Sequence, residues 1–166
     1  MKLLVSFNGL LRTFKTTAVE LLHKMKRDNP DVEIHVILNT SSYNNQCSDR
    51  NLKEVQYNNQ KTLETSILET FSDYIVVDML FQDFDIVKYP GIFYDRIIYS
   101  KRHLNTDNYD FILFVRFDIS FCGLKLDLHS LSKNTLYYFN GKTSNWFFHD
   151  KDNDYVLLGS ADVINC

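Results

Sequence analysis

The chain has little cysteine, no long apolar run and no surplus of positive charge, and each shortage removes a class of protein. Its three cysteines, Cys47, Cys122 and Cys166, stand far apart with no Cys-x-x-Cys. That indicates neither a disulfide framework nor a structural zinc site, and it fits a reducing compartment. No segment approaches the roughly 18 apolar residues of a spanning helix, so no transmembrane segment is expected. The opening Met1-Lys2-Leu3-Leu4-Val5-Ser6-Phe7 is interrupted by Ser6, Asn8 and Arg12, and no small-residue cleavage site follows. It is therefore not read as a secretory signal, and a cytoplasmic location is expected. With 18 Lys and Arg against 21 Asp and Glu the formal charge is −3. Such a chain has no global basic field to hold duplex nucleic acid, although a local Arg and a metal suffice for a nucleotide. Two motifs are also missing. No Gly-Lys-Ser/Thr follows Asn8-Gly9, which excludes a P-loop. In the acidic stretch from His149 to Asp154, an EF-hand register starting at Asp150 puts Tyr155 at the Gly position and Ala161 at the Glu position, which excludes that loop.

What is present points to a packed domain. Hydrophobic residues make up 45% and aromatics 14% of 166 residues, enough for one substantial core over residues 1–166. The most informative stretch is Tyr109 to Ser120. Its unbroken run Phe111-Ile112-Leu113-Phe114-Val115 lacks polar alternation and predicts a strand buried on both faces, central in a parallel sheet. Arg116 and Asp118 follow at once. They should emerge at the carboxyl end of that strand, where open α/β sheets hold ligands. A carboxylate there suits a hard cation such as Mg²⁺ or Mn²⁺.

Elsewhere strands and helices alternate. Lys2–Phe7 reads as a strand broken by Asn8-Gly9. Phe14, Ala18, Leu21, Leu22 and Met25 follow on one helical stripe, with Thr13 as N-cap and Asn29-Pro30 as stop. Strand, glycine loop and helix N-terminus together favour an anion, and Arg12 projects into that space. From the residues alone, ligand contact by Arg12 and a structural ion pair stand level. Strands are expected at Val32–Leu38 and Tyr74–Met79, with a polar surface loop from Asn39 to Asn51 after the first. Helical stripes are expected at Leu63, Ile67, Leu68, Phe71 and at Phe93, Ile97, Leu104. On the second, spanning Gly91 to Asn105, Arg96, Lys101 and Arg102 read as solvated. A short helix around Leu126–Leu131, a strand Leu136–Phe139 and a Ser160-capped helix holding Asp162 complete the series. Trp146, in a polar loop, suits either stacking on a sugar or base or plugging the sheet edge. The alternation predicts an α/β three-layer domain.

Three of these segments carry a resemblance: the strand ending in Arg116-x-Asp118, Phe7-Asn8-Gly9-Leu10-Leu11-Arg12-Thr13-Phe14, and Asn153-Asp154-Tyr155-Val156-Leu157-Leu158-Gly159-Ser160. Together they resemble a family of GT-A-fold glycosyltransferases of large DNA viruses and bacterial surface-polysaccharide clusters. The resemblance implies a three-layer α/β/α, Rossmann-like nucleotide-diphospho-sugar transferase domain with a mostly parallel sheet. It implies a nucleoside diphosphate sugar as donor, a glycan or glycoprotein hydroxyl as acceptor and a divalent cation, Mn²⁺ or Mg²⁺. If viral, the chain belongs in the host cytoplasm. Asn8, Gly9, Arg12, Arg116 and Asp118 would line the nucleotide, Asp118 would hold the metal, and Asp154 would activate the acceptor. With the resemblance, ligand contact is favoured for Arg12. The family's Asp-x-Asp is incomplete here, since Ser120 takes the second acidic position. Asp83 and Asp85 form a literal Asp-x-Asp and are the rival metal site. The acceptor-binding region that usually follows in such enzymes is expected to be missing or reduced. A binding module that has kept the scaffold without turnover is the alternative, and a metal-dependent phosphoesterase a third reading.

Overall fold

The computed structural model describes residues 1–11, 14–43, 57–83, 92–103, 105–117, 125–138 and 156–165. Among the described residues six strands form one sheet: β1 (Lys2–Asn8), β2 (Glu33–Thr40), β3 (Ile75–Phe81), β4 (Phe111–Arg116), β5 (Tyr137–Tyr138) and β6 (Val156–Gly159). Their order is β3-β2-β1-β4-β6-β5. The first four are parallel, β1 pairing with both β2 and β4, and β2 with β3. β6 runs antiparallel to both β4 and β5. The sheet is thus mixed and mostly parallel, compatible with a Rossmann-like α/β fold. The expected strand at the centre is β4, whose five apolar residues are all buried. One of its two neighbours is reversed, which an apolar run cannot announce.

Alternation along β1, β2 and β4 sends side chains into two separate cores. One face, carrying Leu3, Val5, Phe7, Ile34, Val36, Leu38, Phe111, Leu113 and Val115, packs against α1 (Thr17–Asp28) and α2 (Gln60–Thr70). The other carries Leu4, Ile37, Ile112 and Phe114, and meets Ile97 of α3 (Ile92–His103) with Ala161 and Ile164 of α4 (Ala161–Asn165). Helices therefore cover both faces of the sheet.

Several expected boundaries shift. α1 starts at Thr17, not after Thr13, and its N-cap Thr16 makes no side-chain capping bond. Phe14 consequently packs from the turn before the helix. The stop at Asn29 holds, and its buried amide explains why: Nδ2 donates to the carbonyls of Met25 and Leu126, while Oδ1 accepts from Leu128 N–H. On α2, Leu63 and Ile67 are buried but Leu68 is 49% exposed, so the apolar stripe is narrower than the sequence implies. The expected helix around Leu126–Leu131 is a single 3₁₀ turn at Leu128–Ser130. Ser160 does cap α4, accepting from Val163 N–H.

At the amino ends of the strands Asp110 ties β4 to β1. Its carboxylate accepts from Lys2 N–H at 2.9 Å and from Lys133 Nζ at 2.8 Å, and its own N–H donates to Lys2 O. The Lys133 bond, then the Lys2 N–H, hold this carboxyl below the usual carboxylate range. A carboxyl depressed in the folded state stabilises above its unfolded pKa and ceases to as pH falls through its folded one. Asp110→Asn should therefore unfold at lower urea than wild type at neutral pH, and the gap should close on acidification below the carboxylate range. A gap that persists in acid would mean that the side chain acts through hydrogen-bond geometry alone.

Candidate functional site

The order of the first four strands turns around at β1, which has β2 on one side and β4 on the other. In open α/β sheets that reversal opens a crevice at the carboxyl ends, because the connections leave toward opposite faces. Here that position of the sheet carries Asn8 at the end of β1, Gly9 just after it and Arg116 at the end of β4. Asn8 stands opposite Arg116 on one side and Asn39 on the other, so Asn39, Asn8 and Arg116 form one row across three strands. Arg116 continues the alternation of Ile112 and Phe114, which places the row on the α3 side. Gly9 then leaves the strand at φ +127°, a conformation that L side chains rarely adopt, and its N–H donates to Asn39 O at 3.0 Å.

The expected site residues divide into two groups. Asn8, Gly9 and Arg116 meet at the switch point. Arg12, Asp118 and Asp154 lie outside the described residues, as do Asp85 and Trp146. Leu11 and Phe14 are buried, and the ring of Phe14 meets that of Phe117 edge-on at 6.4 Å. Phe117 also stacks on Phe7 at 5.4 Å. The β1–α1 connection and the exit of β4 are thus joined through aromatic contacts on the α1 side of the crevice.

The side chain of Asn8 turns inward. It is 0% exposed, donating to Ser6 O at 2.8 Å and Ser6 Oγ at 3.1 Å and accepting from Ser100 Oγ at 3.2 Å. Asn8 therefore marks the expected place but spends its amide on the interior. Asp83, from the rival acidic pair, is engaged as well. Ser42 N–H donates to Oδ1 at 2.8 Å and Ser42 Oγ to Oδ2 at 2.6 Å. Among the described residues no group of three or more His, Cys, Asp or Glu side chains could hold a metal ion.

The largest departure from the sequence reading is Arg96, expected in solvent and found 1% exposed. Its guanidinium donates from Nη1 to Asn39 Oδ1 at 3.1 Å, and from Nη2 to Ser41 Oγ at 2.8 Å and Gln82 O at 3.0 Å. Asn39 Nδ2 answers by donating to Arg96 O at 2.9 Å and to Ser100 Oγ at 3.0 Å. Burial pulls the guanidinium down to about 10, against the charge of Asp83, which pulls it up. It remains a cation at neutral pH. The signal for this group lay in and just after the strands, since Ser6, Asn8, Asn39, Thr40 and Ser41 are polar yet buried, and buried polar groups require partners.

By fold and site the molecule is an α/β protein with a mixed, mostly parallel sheet and a row of polar residues, Asn39, Asn8 and Arg116, at its switch point. No family model, curated protein or solved structure matches the chain.

Proposed function

We propose that the chain is a glycosyltransferase that binds a nucleoside diphosphate sugar in the β1/β4 crevice and passes the sugar to a glycan hydroxyl. The observation that carries this reading is the pairing of Asn8 with Arg116 beside Gly9 at the switch point. Support comes from the Phe14–Phe117 contact, which joins the segments flanking Arg12 and Asp118 at the same end of the sheet. In the reaction the acceptor oxygen bonds to the anomeric carbon, the bond from that carbon to the phosphate oxygen breaks, and the nucleoside diphosphate departs. A cationic guanidinium suits the departing diphosphate, because it offers forked donors where negative charge develops. That is the role assigned to Arg116 and Arg12. The hydroxyl proton goes to a carboxylate, Asp154 in an inverting course. A divalent cation, Mn²⁺ or Mg²⁺, belongs to this reading through Asp118 alone, and the described residues supply no step through it.

One observation favours a second reading, a nucleotide-binding module without turnover. Asn8 spends its amide inside the protein, Asp83 bonds to Ser42 at the surface, and among the described residues no three acids, His or Cys gather.

Calorimetric titration of the full chain with nucleoside diphosphates and nucleotide sugars, with and without Mn²⁺, tests the proposal. One nucleotide should bind, and Arg116→Ala should weaken it by about ten- to a hundredfold, the worth of a charge-assisted bond. Asp118→Ala should remove the metal dependence. Release of nucleoside diphosphate in the presence of glycan acceptors supports the transferase, and binding without release supports the module. Absence of binding across the panel overturns both.

A further inference from the structure

We infer that Arg96 is a positioning residue of the crevice, holding the β1 exit in place through Asn39 and Ser100. This rests on the reading of that crevice as a nucleotide site.

The geometry is a closed chain of bonds from helix to loop. From α3, Arg96 Nη1 fixes Asn39 Oδ1, and the Arg96 carbonyl takes one hydrogen of Asn39 Nδ2. Asn39 is thereby held from two sides, so its amide orientation is determined. The same nitrogen donates to Ser100 Oγ, one helical turn beyond Arg96, and Ser100 in turn donates to Asn8 Oδ1. The Asn39 backbone carbonyl receives Gly9 N–H at 3.0 Å. Two routes, one by side chains and one by the β2 backbone, therefore end on consecutive residues of the β1 exit. The other arm of the guanidinium reaches Ser41 Oγ and Gln82 O, which joins the ends of β2 and β3 to the same point. A planar fork suits this task, because it spans separate acceptors at fixed angles; a single ammonium does not.

The role differs from ligand contact. Arg96, Asn39, Ser100 and Asn8 are all essentially inaccessible, so none of them is offered to a ligand. It also differs from simple packing, because the polar chain ends on the Gly9 peptide, which turns at positive φ where the crevice opens.

The test uses Arg96→Lys, Arg96→Met and Ser100→Ala in the full chain, with two readouts. Nucleotide Kd is measured by calorimetry well below each variant's unfolding temperature, and exchange of the Gly9 amide proton by NMR. All three variants should weaken nucleotide binding by about tenfold and speed Gly9 exchange, and Lys should not restore Arg96 function. A wild-type chain that binds nucleotide while folded Arg96→Lys and Ser100→Ala bind it equally well overturns the inference and leaves the proposed function standing. A wild-type chain that binds no nucleotide overturns the function, and this inference with it. Should the Arg96 variants fail to fold, Ser100→Ala decides alone, since it removes one hydroxyl and leaves the guanidinium in place.

Discussion

Phe7→Ala should lower the unfolding free energy by about 3 to 5 kcal/mol, the range for deleting a fully buried aromatic. Phe7 is 0% exposed and sits where three connections converge. Its ring stacks on Phe117 at 5.4 Å and 15°, and on Phe71 at 5.8 Å and 30°. Phe71 closes α2 as its C-cap, Phe117 follows β4, and Phe14, before α1, touches both at 6.2 and 6.4 Å. The four rings thus bind the ends of β1, β4 and α2 to the start of α1. Removing Phe7 leaves a cavity walled by the rings of Phe71 and Phe117 in a close-packed core. The loss should be read from urea unfolding followed by both tryptophan fluorescence and circular dichroism. A cost under about 2 kcal/mol would mean that the neighbouring rings close the gap, at odds with a rigid aromatic cluster. Because Phe117 directly precedes Asp118, the variant should also blunt any metal or nucleotide response by more than its stability loss explains.

The same cluster shows what sequence could convey. Phe7, Phe71 and Phe117 stand on or beside strongly patterned segments, so their burial follows from period and run length. Strands β1 to β4 and helices α1 to α3 were legible for that reason, with ends displaced by a few residues where caps and turns decide. The placement of β6 was not. Val156-Leu157-Leu158-Gly159 is a short apolar run, and nothing local states that it inserts between β4 and β5 in reverse. Of the candidate site, the meeting of Asn8, Gly9 and Arg116 was legible because parallel strands deliver their carboxyl ends to one edge. The inward turn of Asn8 was not, since of its partners Ser6 lies two residues back on the same strand but Ser100 meets it only through the placement of α3 on the sheet. Arg96 was misread for a related reason. A basic residue on a helix that also carries Lys101 and Arg102 has the look of a solvated face, and only the acceptors waiting on β2 distinguish it.

Those acceptors yield the last expectation, that Asn39→Leu should destabilise the protein by about 1.5 to 3 kcal/mol, the range for a hydrogen bond to a charged group. Leucine matches the shape, and the backbone bond from Gly9 N–H to the residue 39 carbonyl remains available. What disappears is the acceptor of Arg96 Nη1 and the donor to both Arg96 O and Ser100 Oγ. The guanidinium then stays buried with fewer oxygens around it, and burial is already what pulls it down to about 10. The sign is informative. A basic group whose folded pKa lies below its unfolded one costs stability at every pH below that folded value, and the cost fades only as pH rises past it. The native network offsets this cost across the neutral range, so the deficit of Asn39→Leu should be flat from about pH 6 to 8. Adding Arg96→Met removes the charge itself. The double variant should therefore be less damaged than the sum of the single ones, by about 1 to 3 kcal/mol of coupling in a double-mutant cycle. Strict additivity would mean that Asn39 and Arg96 act independently, and that the bonds between them do not hold α3 to the sheet.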